Sequence, residues 1–198
     1  VEVTEPQALI AAGLIEPELA TEQRAELLQL QFTCGRRTIF RGIDRVLPGE
    51  TLIVRGGRIV ERRRRPALPA GGPESLDMED GLRRLDRALE DSVTMHQRAD
   101  VPYGLFLSGG IDSATILALM ARLNERPVTA FTAGFSGTQV ADERAHARRL
   151  AQSVGADYHE IEFSSTDFWS MLPRIAAAMD DPAADYAILP SWKLAQEA

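Results

Sequence analysis

Among its 198 residues the sequence has one cysteine, Cys34. A single thiol excludes an intrachain disulfide and suits a reducing compartment. No apolar run reaches membrane-spanning length, and the first residues lack the basic-then-apolar pattern of a secretion signal. The expectation is a cytoplasmic protein with no membrane partner. Positive charge is in deficit too. The 22 basic residues face 29 acidic ones, a net charge of −7, so the surface as a whole is not built to grip nucleic acid. The longest basic run, residues 62–65, ends against Pro66 and reads as a solvated strand edge or linker. Two familiar nucleotide signatures are missing, since no strand is followed by Gly-x-x-x-x-Gly-Lys-Ser/Thr or by Gly-x-Gly-x-x-Gly. What is present is 44% hydrophobic content, enough to build one large domain or two small ones.

The stretch richest in chemistry is Tyr103-Gly-Leu-Phe-Leu-Ser108-Gly109-Gly110-Ile111-Asp112-Ser113. It runs from an apolar strand through a small-residue turn into an apolar helix. Such a turn leaves backbone N–H groups and the positive end of the helix dipole facing one concavity, which suits an anion. The paired glycines allow a phosphate close to the backbone, and Ser108 and Ser113 add hydroxyl donors. Asp112 would repel a bare phosphate but would hold a magnesium ion bridging phosphates. The same residues also make a plain turn with a Ser/Asp helix cap.

Around this stretch the chain alternates. Residues 22–30 suggest one amphipathic helix, with Thr21 as its cap. Two β-branched runs around Gly56-Gly57, within residues 51–61, read as a hairpin. Ala67-Leu-Pro-Ala-Gly-Gly-Pro-Glu reads as a linker. Leu82, Leu85, Leu89 and Val93 lie at helical spacing, Ser75 or Asp77 can cap that helix, and Asp100-Val101-Pro102 ends it. His96, near its C-terminal end, fits a structural or dipole-complementing role. Beyond the central loop, residues 114–120 form a helix, 128–134 a strand, 142–154 a helix, 158–163 a strand and 166–179 a helix. This order calls for a parallel sheet with helices on its faces. Ligands of such sheets sit beyond the carboxyl ends of the strands, where residues 108–113, Ala133 and Gly134 all fall.

The string Ser-Gly-Gly-Ile-Asp-Ser resembles the pyrophosphatase loop of ATP-cleaving amidotransferases and synthetases. Arg98-Ala-Asp-Val-Pro-Tyr before it, then Phe131-Thr-Ala-Gly-Phe, Asp142-Glu-Arg-Ala-His-Ala-Arg, Val154-Gly-Ala-Asp-Tyr-His-Glu-Ile and Asp180-Asp-Pro-Ala-Ala-Asp-Tyr-Ala-Ile-Leu-Pro-Ser extend the likeness to the synthetase domain of glutamine-hydrolysing asparagine synthetases. Arg37-Thr-Ile-Phe-Arg-Gly-Ile, Leu47-Pro-Gly-Glu and the hairpin resemble the closing segment of that family's glutaminase domain.

The resemblance implies an α/β fold, a Rossmann-like parallel sheet of the PP-loop (adenine nucleotide α-hydrolase-like) kind, preceded by the β-rich end of an N-terminal-nucleophile glutaminase domain. Residues 1–66 would be the remnant of that domain, 67–75 the linker and 76–198 the ATP-pyrophosphatase domain. It further implies a ligase of asparagine biosynthesis with ATP and magnesium as cofactors. The strand backbone near Phe106 and Ala133 would meet the adenine and ribose, with Leu107 and Gly134 also binding ATP. Ser108, Gly109, Gly110 and Ser113 would cradle the pyrophosphate, and Asp112 would hold the metal. The family activates a carboxylate as an acyl-adenylate, which ammonia from glutamine then aminates. Aspartate or another carboxylate would be the acceptor, and a homodimer is compatible with the family.

The sequence departs from the family in places. The glutaminase nucleophile is an amino-terminal cysteine, but position 1 is Val1 and Cys34 is internal, where it reads as a small buried hydrophobe. Asp180-Asp181-Pro182 stands for the common Asp-Glu-Pro, and Ser191-Trp192 for a Thr-Tyr pair, both beside the acceptor region. The family's second phosphate element, Ser-Gly-Glu-Gly-x-Asp-Glu, would follow some tens of residues after Pro190, and the sequence ends at Ala198. The expectation is a central piece of a longer synthetase, or a protein that has lost the second half of its site. A β-lactam-synthetase-like relative, a tRNA-modifying PP-loop ATP pyrophosphatase and a non-catalytic nucleotide-binding module remain alternatives. The tRNA-modifying class would call for persulfide cysteines and a basic face.

Overall fold

In a computed structural model, residues 4–66, 68, 70–135, 137 and 142–198 are described. The linker positions Ala67 and Pro69, and Val1, lie outside them. The chain divides into two compact units, one of residues 1–73 and 173–186, the other of residues 74–172 and 187–198.

The first unit holds helices α1 (Pro6–Ala11) and α2 (Thr21–Leu30) and a hairpin of β1 (Glu50–Arg55) and β2 (Arg58–Arg64). The hairpin forms where expected. Gly56 and Gly57 both take positive φ, 55° and 73°, the backbone that a tight two-residue turn between twisted strands requires. Its strands pair antiparallel from Glu50↔Arg64 to Arg55↔Arg58, with an irregularity between Ile53 and Val54. Three expectations need correction. Thr21 is the first helical residue of α2 rather than its cap, because Ala20 occupies the cap position and no side chain closes it. Nor does α2 bury a face: it has no buried residue, and Leu28 is 77% exposed. Cys34 is also exposed rather than buried, and its N–H donates to the Glu26 carboxylate at 3.0 Å.

In this unit Arg45 ties distant segments together. Its guanidinium donates to the carbonyls of Thr33, Gly35 and Arg37 at 3.3, 3.2 and 3.0 Å, and through Nε to the Asp181 carboxylate at 2.8 Å. Asp180 accepts the Gln7 N–H at 3.1 Å. The Asp180-Asp181 pair therefore holds the N-terminal segments of this unit.

The second unit carries α3 (Met78–His96), β3 (Leu105–Phe106), α4 (Ile111–Leu123), β4 (Thr129–Gly134), α5 (Arg144–Ser153), β5 (Asp157–Glu162) and α7 (Ile188–Glu197); α6 (Ser165–Ala178) crosses the division at Pro173. The sheet runs β3-β4-β5, parallel throughout. This is the α/β alternation that the sequence pattern predicts. Asp77 is the cap of α3, accepting the Asp80 N–H at 2.8 Å. His96 bonds through its ring to the Ser92 carbonyl at 2.8 Å.

Leu107, Leu117, Met120, Val128, Ala130, Ala147 and Ala151 form the core. They bring α4 and α5 together against the sheet, and the two alanines of α5 let that helix lie close. β3 is shorter than its apolar run suggests, two paired residues. Gly104, just before it, sits where a Cβ would come within 2.8 Å of the Phe131 ring and 3.0 Å of the Thr129 carbonyl. Leu107 leaves the strand but keeps its N–H on the Phe131 carbonyl at 2.8 Å, while its own carbonyl accepts the Thr132 hydroxyl at 2.6 Å. The strand end is thereby fixed before the glycine turn begins. No helix among the described residues is long and apolar enough to cross a membrane.

Candidate functional site

The residues after β3 fold into a self-bonded turn. Ser113 Oγ lies 2.9 Å from Ser108 Oγ and accepts the Ser108 N–H at 3.2 Å, and Ser108 Oγ accepts the Gly110 N–H at 3.1 Å. The two hydroxyls expected on phosphate are thus spent, in this state, on shaping the loop itself. The spacing explains it: Ser113 is on the first turn of α4, directly above the turn that Ser108 opens.

Gly110 is the N-cap of α4, in extended conformation, and no side chain caps the helix. The N–H groups at the start of a helix have no intrahelical partner, and the dipole makes this end electropositive. Asp112 lies on that first turn. It is exposed and has no hydrogen-bond or ion-pair partner among the described residues.

The glycines owe their place to space rather than to an unusual backbone, since neither Gly109 nor Gly110 has positive φ. A Cβ on Gly109 would lie 3.3 Å from both Glu143 Cβ and His146 Cδ2, and one on Gly110 would lie 3.2 Å from Ser108 Oγ. Gly109 donates its N–H to Glu143 Oε2 at 2.9 Å. A carboxylate oxygen thus occupies one backbone donor of the loop.

Glu143 was not legible as a site residue, because it stands 34 residues further on; what could have pointed to it is its place at the start of the helix that follows β4. Its neighbour Arg144 lies directly against Gly134, at the carboxyl end of β4, so that a Cβ there would overlap the guanidinium. Arg144 in turn grips Asp142, with Nε at 2.9 and 3.0 Å from the two carboxylate oxygens. That guanidinium and the Arg144 N–H hold the Asp142 carboxyl down at about 2.

The expected site residues separate by accessibility. Phe106, Ser108, Gly110 and Asp112 are exposed, Gly109, Ser113 and Ala133 are half-buried, and Leu107 and Gly134 are buried. Beyond the end of β5, Lys193 of α7 donates to the Glu162 carbonyl at 2.6 Å and pairs with Asp167 at 2.9 Å. Ser164 and Lys193 together hold Asp167 down at about 2.

Among the described residues no group of three or more His, Cys, Asp or Glu side chains could hold a metal. A lone free carboxylate beside uncapped N–H groups does not make a resident metal site. It does fit a magnesium ion that takes its other ligands from phosphates and water.

The family model of asparagine synthase matches residues 84–198. A Mycobacterium tuberculosis protein assigned as a glutamine-hydrolysing asparagine synthetase is 36% identical over 172 residues, covering 85% of this chain and 26% of that protein. Glutamine-hydrolysing asparagine synthetase 1 of Bacillus subtilis is 30% identical over 182 residues, covering 91% and 28%. The amidase chyE of Penicillium rubens is 32% identical over 177 residues, covering 80% and 25%. The chain spans about a quarter of the length of these curated relatives. With a family match over more than half of its residues, one that includes the whole loop and all three strands of the sheet, this chain belongs to the asparagine synthase family.

Proposed function

We propose that residues 108–113 take the β- and γ-phosphates of MgATP in an amide-forming synthetase of asparagine synthetase type. The observation that carries this reading is the Gly109 N–H, already bound to an anionic oxygen beside the uncapped start of α4. Gly109, Gly110 and the first turn of α4 would supply backbone donors, and Ser108 and Ser113 would turn their hydroxyls outward. Phe106, Leu107, Ala133 and Gly134 would border the adenine and ribose, which requires the Arg144 side chain to move from Gly134. Magnesium, held by Asp112, would offset the charge that collects on the departing pyrophosphate.

In the reaction, a substrate carboxylate oxygen bonds to the α-phosphorus as the α–β bridging bond breaks, releasing pyrophosphate. Ammonia then attacks the acyl carbon and AMP leaves. Aspartate is the acceptor suggested by the synthetase relatives, and the likeness to an amidase keeps other carboxylates open. Residues 1–66, with the hairpin, fit the closing part of a glutaminase domain, 67–75 a linker and 76–198 the ATP-pyrophosphatase domain.

The test is calorimetry of the wild type and Asp112→Asn with ATP, with and without magnesium. The wild type is expected to bind MgATP more tightly than free ATP, and the variant to lose most of that preference by losing affinity for MgATP. An equal magnesium preference in both proteins would remove Asp112 from the metal.

A further inference from the structure

Glu143 is fixed at its backbone and free only at its side chain. Its carbonyl accepts the N–H groups of His146 and Ala147 at 3.0 and 2.9 Å, which builds it into the first turn of α5. Asp142 on one side bonds the Arg144 N–H at 3.1 Å. The carboxylate reaches across to the Gly109 N–H at 2.9 Å, and the backbones pass so close that a Cβ on Gly109 would lie 3.3 Å from Glu143 Cβ and from His146 Cδ2. A phosphate that takes the Gly109 donor must therefore displace the carboxylate, while the Cβ that carries it stays anchored beside Gly109. The charge remains within one side-chain length of the incoming anion, and Asp112 lies on the first turn of α4, which follows the loop.

We propose that Glu143 is a specificity-determining residue of this loop: its carboxylate holds the Gly109 N–H until a phosphate arrives, and it sets the requirement that the phosphate come with a divalent cation. This rests on the reading of the loop as the ATP site. The physical reason is like-charge repulsion. A bare polyphosphate at the Gly109 donor meets the Glu143 carboxylate, with Asp112 on the adjoining helix turn, whereas a magnesium-bound one brings the charge that offsets them. The two carboxylates act in opposite directions on affinity. Asp112 favours the metal-bound nucleotide by coordinating, and Glu143 disfavours the bare one by occupying its donor.

The experiment is calorimetric titration of the wild type, Glu143→Gln and Glu143→Ala with ATP in excess magnesium and with ATP in EDTA. Both variants are expected to bind metal-free ATP about tenfold more tightly than the wild type, the equivalent of removing one close like charge. Their affinity for MgATP should change by no more than about threefold. The magnesium preference then shrinks through a gain on the metal-free side, the opposite sense to Asp112→Asn. If the wild type binds and both variants keep its magnesium preference, or bind both forms more weakly, Glu143 is an ordering residue and the proposal is overturned while the ATP site stands. If none of the three binds ATP in either form, the proposal and the ATP reading fall together.

Discussion

At the scale of single residues, the loop works by close contact rather than by backbone strain. Gly109 would be expected to need its conformational freedom, but its φ is ordinary for any residue, and what it provides is the missing Cβ between the loop and the first turn of α5. Gly109→Ala places a methyl 3.3 Å from Glu143 Cβ and His146 Cδ2, a distance at which both neighbours must give way by a few tenths of an ångström. Because α5 is held by Ala147 and Ala151, which are fully buried, the loop should move instead. The expected cost is about 1 kcal/mol of overpacking, read as a lower urea midpoint at unchanged slope, together with weakened ATP binding. An unchanged midpoint would mean that the loop has slack the packing does not show.

At the scale of elements, two predictions concern how strands and helices are anchored. Glu50 opens β1 with its side chain only 5% exposed, bonded to Arg36 at 2.7 Å, to the Leu47 N–H at 2.9 Å and to Arg62 at 3.3 Å. These donors, Arg36 foremost, hold its carboxyl down from 4.5 to about 2. A carboxyl depressed by folding contributes stability that is whole above its ordinary value and drains away as the pH falls through the folded one. The hairpin unit should therefore lose stability between about pH 4.5 and 2. Glu50→Gln should be less stable at neutral pH and flatter across that window, which thermal unfolding against pH will show. A variant with the full wild-type slope would place the acid sensitivity elsewhere. The second prediction concerns α3, whose stripe of Leu82 and Leu85 is 57% and 54% exposed, so that packing gives it little and its cap gives proportionally more. Asp77→Ala removes the bond to the Asp80 N–H and should cost about 1 kcal/mol, visible as faster amide exchange in the first turn of α3. Unchanged exchange there would show that water replaces the cap at no cost.

At the scale of the whole molecule, the family match covers residues 84–198, and the described residues pair no thiol with a base. The one thiol, Cys34, is exposed, and its sulfur has no hydrogen-bond partner among the described residues, whereas a nucleophile needs a base within hydrogen-bond reach. This 198-residue chain is expected to release no ammonia from glutamine and to form no amide from it, and Cys34→Ser should match the wild type. The assay is ammonia and pyrophosphate release with aspartate, MgATP and either glutamine or free ammonia. Glutamine-dependent turnover abolished by Cys34→Ser would assign the thiol the role denied to it here.

Local rules made much of this protein legible from its sequence. The hairpin follows from two glycines able to take positive φ, the helix at Met78–His96 from a capping aspartate and a 3.6-residue period, and the strand-loop-helix around residues 108–113 from an apolar run broken by small residues. Each depends on neighbours a few positions away. The amphipathic reading of α2 failed on the same ground. Its apolar residues do not gather on one face: Leu27 is half-buried while Leu28 and Leu30 stand exposed. What only the fold decided are the meetings of carboxylates with distant donors: Glu143 with the Gly109 N–H, Asp181 with Arg45, Asp180 with the Gln7 N–H. The reason is that a carboxylate has no periodicity to reveal its partner. Its destination is set by where the parallel sheet and the helix starts bring the backbone donors, and it is there, at Gly109, that the candidate site acquires the residue its sequence motif does not contain.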